Sequence, residues 1–329
     1  MIPAGWLILY RTNFNIDSDD TMAVSNFDLA VVGHFSVDTI ILPTRTKPFT
    51  VLGGAATYTS FAAKTLDASV SVVSRVGEHF PEAYLWWVRQ ENINTDAVHK
   101  IANEPTTCFE LEYRNNLAER TLKLKSKGPA ITVDDVPSDF RAKAIHVAPI
   151  ANEISYAVVE KLKKCCDILS LDPQGLLRSF DEAGNVAENQ IFDHDIFSLI
   201  NIYKSSQGEI FALTGEKELK PAIKAIHDIG VETVIVTRGA KGSLLSVEGA
   251  QYNIAACPSE VVVDPTGAGD VFMGGFLVEY IRQKESLWCA YVGSSAASFV
   301  VEGIGPTFFG KKESIYQRAK DIFEKHVKQ

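Results

Sequence analysis

The chain has 329 residues, enough for one large α/β domain or two smaller ones. Its 46% hydrophobic and 22% charged residues are ordinary for a globular enzyme. A net charge of −9 weighs against a nucleic-acid partner, whose phosphates need a basic surface. No run reaches the roughly 20 apolar residues of a membrane helix, so no membrane partner is expected.

The first stretch reads as a tail outside the fold. Residues 5–10 are a short apolar burst without the positive lead and cleavage site of a secretory signal, and residues 13–20 are polar and acidic. Residues 1–25 are therefore expected to be a disordered tail and residues 26–329 the folded domain, with Met22 an alternative start. The five cysteines, Cys108, Cys165, Cys166, Cys257 and Cys289, show no metal-ligand spacing. An odd count with an adjacent pair suggests reduced thiols in a cytoplasm.

In chain order, residues 27–33 read as a buried strand ending at Gly33, with Asp38 five residues on. A short β-like run covers 39–42. Gly53-Gly54-Ala55-Ala56 opens a helix to about Leu66, residues 69–76 alternate as a strand, and 81–91 form a helix with Pro81 in its first turn. Residues 106–113 and 120–126 read as a hairpin around Asn115-Asn116. With residues 39–50 they form a small accessory sheet outside the main rhythm.

The alternation then resumes. Strands at 144–148, 168–171, 200–203 and 232–237 alternate with helices at 154–164, 209–213 and 222–229. Two short strands follow near 243–247 and 251–255. Val261-Val262-Val263 reads as a further strand, ahead of helices at 268–283, 287–301 and 312–325. Alternating strands and helices imply a mostly parallel, doubly wound sheet flanked by helices, with ligands beyond the carboxyl ends of its strands.

The stretch Asp264-Pro265-Thr266-Gly267-Ala268-Gly269-Asp270 leaves that expected strand and enters a helix. Gly267 and Gly269 let the backbone take positive φ and approach a ligand closely. The first amides of the helix have no intrahelical partner and the dipole favours negative charge, so the turn is an anion site suited to phosphate. Asp270 sits in it as a carboxylate. It reads either as a helix cap or as a general base that takes a hydroxyl proton while the amides hold the developing charge.

This string resembles the C-terminal signature of the ribokinase/PfkB family of carbohydrate kinases, and the resemblance extends over about residues 27–325. It implies a ribokinase-like fold with a small β-sheet lid from about 38–50 and 105–127, which also offers a face for a homodimer. It implies Asp270 as the catalytic base and Gly267, Ala268 and Gly269 as the anion hole. Thr237, Gly239 and Gly242, in a loop where Arg238 and Lys241 could add charge, would meet ATP, as would Thr266, Ser206 and Gly303. Glu209 would order Mg²⁺. Asp38, Gly53, Gly54 and Arg178 would hold the substrate. In some members a monovalent cation sits beside Asp264 and residues 303–307.

Two positions depart from the family. Ser206 stands where Asn is usual ahead of Glu209, and Tyr58 where Asn often follows the Gly-Gly pair. Asp172-Pro173-Gln174-Gly175-Leu176-Leu177-Arg178 with Lys204-Ser205-Ser206 is closest to the myo-inositol kinase branch. The reading implied is ATP-dependent phosphorylation of a sugar or polyol hydroxyl, with myo-inositol the first guess. A nucleoside is the runner-up, then ribose, fructose or a keto-deoxy sugar acid; a non-catalytic sugar or nucleotide sensor is the reading from another class. Residues 305–312 nearly spell a P-loop, but Lys312 replaces the Ser/Thr that binds Mg²⁺ and no strand precedes it. His34 and His146 read as satisfied core histidines.

Overall fold

The computed structural model describes residues 27–43, 45–114, 119–188 and 194–327. The expected N-terminal tail and the turn at Asn115-Asn116 lie outside the described residues.

The main sheet has nine strands. Third from one edge is β1 (Phe27–Val32), flanked by β4 (Val70–Gly77) and β8 (Ala142–Val147). Beyond β4 lies β5 (Ile93–Ile101). Beyond β8 come β9 (Cys166–Leu171), β12 (Ile202–Ser206), β13 (Thr233–Thr237), β14 (Ser243–Val247) and β15 (Ala250–Ile254). All neighbours are parallel except the β13–β14–β15 meander.

β1 is apolar at both parities because helices cover both faces. Leu29 and Val31 pack with α1 (Ala55–Thr65), α2 (Glu82–Gln90), α6 (Ala268–Ile281), α7 (Ser286–Val300) and α8 (Lys312–Val327). Ala30 and Val32 pack with α3 (Tyr156–Lys163), α4 (Gln207–Thr214) and α5 (Leu219–Asp228). Strand order runs one way from β1 through β4 and the other way through β8, so a crevice opens at their carboxyl ends.

A second sheet, ordered β3-β2-β6-β7, stands over that crevice. It contains β2 (Ser36–Ile41), β3 (Phe49–Gly53), β6 (Cys108–Arg114) and β7 (Glu119–Ser126). Its β2–β6 pair is parallel and the other two pairs are antiparallel. Ile40, Phe109, Leu111 and Tyr113 from this sheet share a small apolar cluster with Ala148, Ile150 and Ala151 beyond β8. A two-stranded ribbon, β10 (Arg178–Phe180) with β11 (Val186–Glu188), lies beside it.

Two expectations differ from the structure. Residues 261–263 are not a strand: Val261 and Val262 are 54% and 52% exposed, and the amides of Val263 and Asp264 both bond the Val301 carbonyl. Of the three valines, Val262 borders the cleft. Conversely, β5 is an element that the sequence pattern did not announce. Its apolar positions are diluted by Asn94, Asp96, His99 and Lys100, as suits an edge strand with one side in water. No helix among the described residues is long and apolar enough to cross a membrane.

Candidate active site

The crevice holds a cleft of about 1150 Å³, large enough for a nucleotide and a small acceptor together. Its floor is the N-terminus of α6. Gly267 is the residue before the helix, with φ 76°, and the Val271 N–H closes the first α-helical bond on the Gly267 carbonyl at 2.8 Å. The amides of Gly269 and Asp270 precede that ladder and border the cleft. The Tyr58 ring lies against Gly267, so an added Cβ there would sit 2.2 Å from Tyr58 Cδ1. Gly267→Ala should therefore lower stability by roughly 1–3 kcal/mol for the backbone and about as much again for the overlap, read as a lower urea midpoint. An unchanged midpoint would contradict that geometry.

Asp270 is half-buried in the first turn of α6 and lines the cleft. It is not the helix cap, a position that falls to Gly267. Gln174 Nε2 approaches Asp270 Oδ1 at 3.4 Å. Burial pushes the Asp270 carboxyl up to about 6; Lys204 opposes this and Asp172 adds to it.

Lys204, from the middle of β12, is buried beneath the amide cradle. Its Nζ lies 2.5 Å from Asp172 Oδ2 at the end of β9, and 2.8 Å from where a Cβ on Gly269 would stand. Burial disfavours the Lys204 charge, but Asp172, Asp270 and Glu209 outweigh it and hold its ionisation above the usual lysine range.

At one end of the cleft, Asp38 on β2 is 6% exposed and accepts from the Phe109 N–H at 3.4 Å. Its carboxylate fills the space a side chain on Gly53 would need, since an added Cβ would be 2.0 Å from Asp38 Oδ2. Gly54 has φ 89° and leads into α1. Ser36 and Tyr58 also border the cleft, with Ser36 Oγ and Tyr58 OH themselves buried and without a hydrogen-bond partner among the described residues. Arg178 donates to the Ile150 carbonyl at 3.0 Å and to Gln174 Oε1 at 2.8 Å, and so steadies the amide that reaches Asp270.

At the other end, Thr237 closes β13 and its hydroxyl donates to the Ser205 carbonyl at 3.3 Å. Gly239 and Gly242, with φ 58° and 79°, form the turn into β14. Arg238 and Lys241 belong to this turn, with the Arg238 guanidinium reaching Asn253 Oδ1 at 3.2 Å. Thr237, Gly239, Gly242 and Thr266 border the cleft, with Val262, Ala297 and Val301 as apolar wall. Gly303 does not: it packs beneath Phe308, where a Cβ would be 2.6 Å from Phe308 Cβ. Val301, two residues earlier, borders it.

Ser206 and Glu209 form a reciprocal cap on α4, with Ser206 N–H to Glu209 Oε2 at 2.7 Å and Glu209 N–H to Ser206 Oγ at 3.3 Å. Both line the cleft. No group of three or more His, Cys, Asp or Glu able to hold a metal occurs among the described residues. A single accessible carboxylate suits Mg²⁺, which keeps most of its shell as water and phosphate oxygens. Asp264 does not suit a monovalent cation. It is 1% exposed, and its carboxylate already accepts from Thr266 N–H, Thr266 O–H and Gly305 N–H, with Tyr113 OH 3.2 Å from Oδ1.

The histidines are core residues. His34 bonds Thr107 Oγ1 and the Pro129 carbonyl, and His146 bonds Ser170 Oγ, with burial lowering its pKa to about 3. Asp172, Gln174 and Lys204 belong to motifs that assign them no task by pattern alone. For Asp172 and Lys204 the signal is a charge within or just after a buried strand, Lys204 inside β12 and Asp172 directly after β9.

Fold and cleft together define an α/β phosphotransferase with an alcohol group as acceptor. The profile of the pfkB family carbohydrate kinases matches residues 26–312, and the chain belongs to that family. The cytidine kinase of Thermococcus kodakarensis is 27% identical over 283 residues, 84% of this chain and 97% of its own. The inositol 3-kinase of Oryza sativa subsp. japonica is 29% identical over 318 residues, 91% of this chain and 74% of its own. The crystal structure of the Methanocaldococcus jannaschii nucleoside kinase, a ribokinase-family member, superposes with a TM-score of 0.73 at 22% identity, over 90% of this chain and 99% of that one. The non-catalytic sensor considered from sequence is thereby set aside.

Proposed function

We propose that this chain transfers the γ-phosphoryl group of ATP to a hydroxyl of a small polyol, with myo-inositol as the acceptor. The observation that carries the reading is the juxtaposition of Asp270 with the bare amides of the α6 N-terminus on one cleft wall. Asp270, ionised above about pH 6, takes the proton of the acceptor hydroxyl. The amides around Gly267, Ala268 and Gly269 hold the charge of the transferring group, and Lys204 adds a fixed positive charge beneath them. Mg²⁺, when bound near Glu209, supplies charge neutralisation of the phosphates.

Asp38 offers a carboxylate that can accept from two neighbouring hydroxyls at once, which favours a polyol, and Ser36 and Tyr58 lie beside it. Arg178, linked through Gln174 to Asp270, borders the same end. Thr237, Gly239, Gly242, Ser206 and Thr266 frame the triphosphate, and the Val262, Ala297 and Val301 wall suits adenine. The smaller sheet serves as a lid that excludes water. Five unpaired cysteines fit a reducing cytoplasm.

A second reading, a nucleoside acceptor, is favoured by the apolar wall of Phe109, Leu111, Leu122 and Ile150, which could accept a base. The test is ADP formation from Mg·ATP with myo-inositol, ribose, fructose, cytidine and adenosine. The highest kcat/KM is expected with myo-inositol. A nucleoside in first place would establish the second reading, and no ADP above background with any acceptor would overturn both.

A further inference from the structure

We propose that Tyr113 is a positioning residue that ties the smaller sheet to the phosphate-binding turn, so that the anion cradle is ordered only when that sheet is seated. The inference rests on the kinase reading for its catalytic consequence, but its structural half stands apart from it.

Tyr113 lies on β6, 3% exposed, in the apolar cluster that joins the two sheets. Its ring needs no polar partner to pack there, yet its hydroxyl is spent on residues 151 and 153 positions away. It approaches Asp264 Oδ1 at 3.2 Å and makes a short bond with Thr266 Oγ1. Thr266 is bound back to Asp264 through both its N–H, at 3.0 Å, and its O–H, at 2.6 Å. Asp264 is in turn held by the Gly305 N–H at 3.1 Å. The knot therefore clamps the residue directly before Gly267, whose φ of 76° sets the direction of the α6 amides.

The same sheet supplies the opposite wall of the cleft. Asp38 on β2 and Phe109 and Leu111 on β6 border the acceptor end, and Asp38 accepts from the Phe109 N–H. One rigid strand thus touches the acceptor with Phe109 and Leu111, and the phosphate turn with Tyr113. Seating of the sheet on an acceptor and fixing of Thr266 become one event. Without an acceptor the cradle is less well held, which disfavours transfer to water.

The test is Tyr113→Phe, which removes one oxygen and leaves the ring. Hydrogen exchange over residues 264–271 should quicken, while exchange in β1 and the thermal midpoint stay as in the wild type. With the best acceptor of the panel, kcat should fall between about 10- and 100-fold, with KM for acceptor and ATP within about twofold, since a small misplacement of the cradle acts on the transition state. Thr266→Val should act on the same link, and the double variant should lose no more than the worse single one. Unchanged exchange over 264–271 in Tyr113→Phe would overturn the proposal even if the wild type showed no turnover. An unchanged kcat in an active enzyme would overturn it too, as would a loss explained by a lower thermal midpoint. Absence of turnover in the wild type would count against the kinase reading alone.

Discussion

Asp270→Asn is expected to lower turnover by about 10²- to 10⁴-fold while ATP still binds within a few-fold of the wild-type Kd. The amide keeps the size of the carboxyl and its place in the first turn of α6, but it cannot take a proton. The cradle, Lys204 and the Thr237–Gly242 turn are untouched, so nucleotide affinity should persist. Near-normal turnover would remove Asp270 from the mechanism.

The same variant should be no less stable than the wild type, and more stable at neutral pH. In the folded chain the Asp270 carboxyl titrates near 6, above the roughly 3.9 of an unfolded aspartate. Ionised Asp270 therefore opposes folding at pH values above its folded pKa. That penalty fades as pH falls through the window between about 6 and 4. A urea midpoint that rises at pH 8 and matches the wild type at pH 4 would show lost activity without lost folding, the trade expected of a strained catalytic group.

The second large effect belongs to the ion pair beneath the cradle. Lys204→Met should destabilise the protein by about 3–5 kcal/mol, because it strands Asp172, which is 0% exposed, without its cation. Lys204→Met with Asp172→Asn should recover much of that stability, since neither charge then remains to be compensated. It should not recover activity: removing Asp172 relieves Asp270 of a like charge, but Lys204 acts on it more strongly, and without Lys204 the amide turn also loses the fixed positive charge beneath it. A Lys204→Met protein with the wild-type urea midpoint would contradict the burial argument. A fully active double variant would remove Lys204 from the chemistry.

Much of this site could be read from the chain before the fold was seen, and the reasons are local. The turn at Gly267 is legible because positive φ and close approach leave few residues other than glycine, and a helix must follow to supply amides. The Thr237–Gly242 turn is legible for the same reason. Residues 261–263 misled because three valines carry the same signature whether they fill a sheet or run through an exposed connection. Gly303 packs against Phe308 and does not border the cleft, because a loop's facing direction is set by what packs on it.

What the chain conceals is pairing across distance. Asp172 and Lys204 are 32 residues apart, and Tyr113 and Thr266 are 153 apart. Neither pair has a spacing that a sequence pattern encodes. β9 and β12 become neighbours only through the parallel winding, and the smaller sheet meets the phosphate turn only by folding over the crevice. The acceptor end is hidden for the same reason, being assembled from β2, α1, β6 and the segment before β10.

The most direct measurement is the pH dependence of kcat/KM for the best acceptor, which reports the pKa of the base in the free enzyme. With Asp270 as that base, log kcat/KM should be level near pH 8 and fall with a slope of one below about pH 6, and the residual activity of Asp270→Asn should show no such limb. A wild-type profile flat from pH 8 to 5, or a limb that survives in Asp270→Asn, would contradict the assignment.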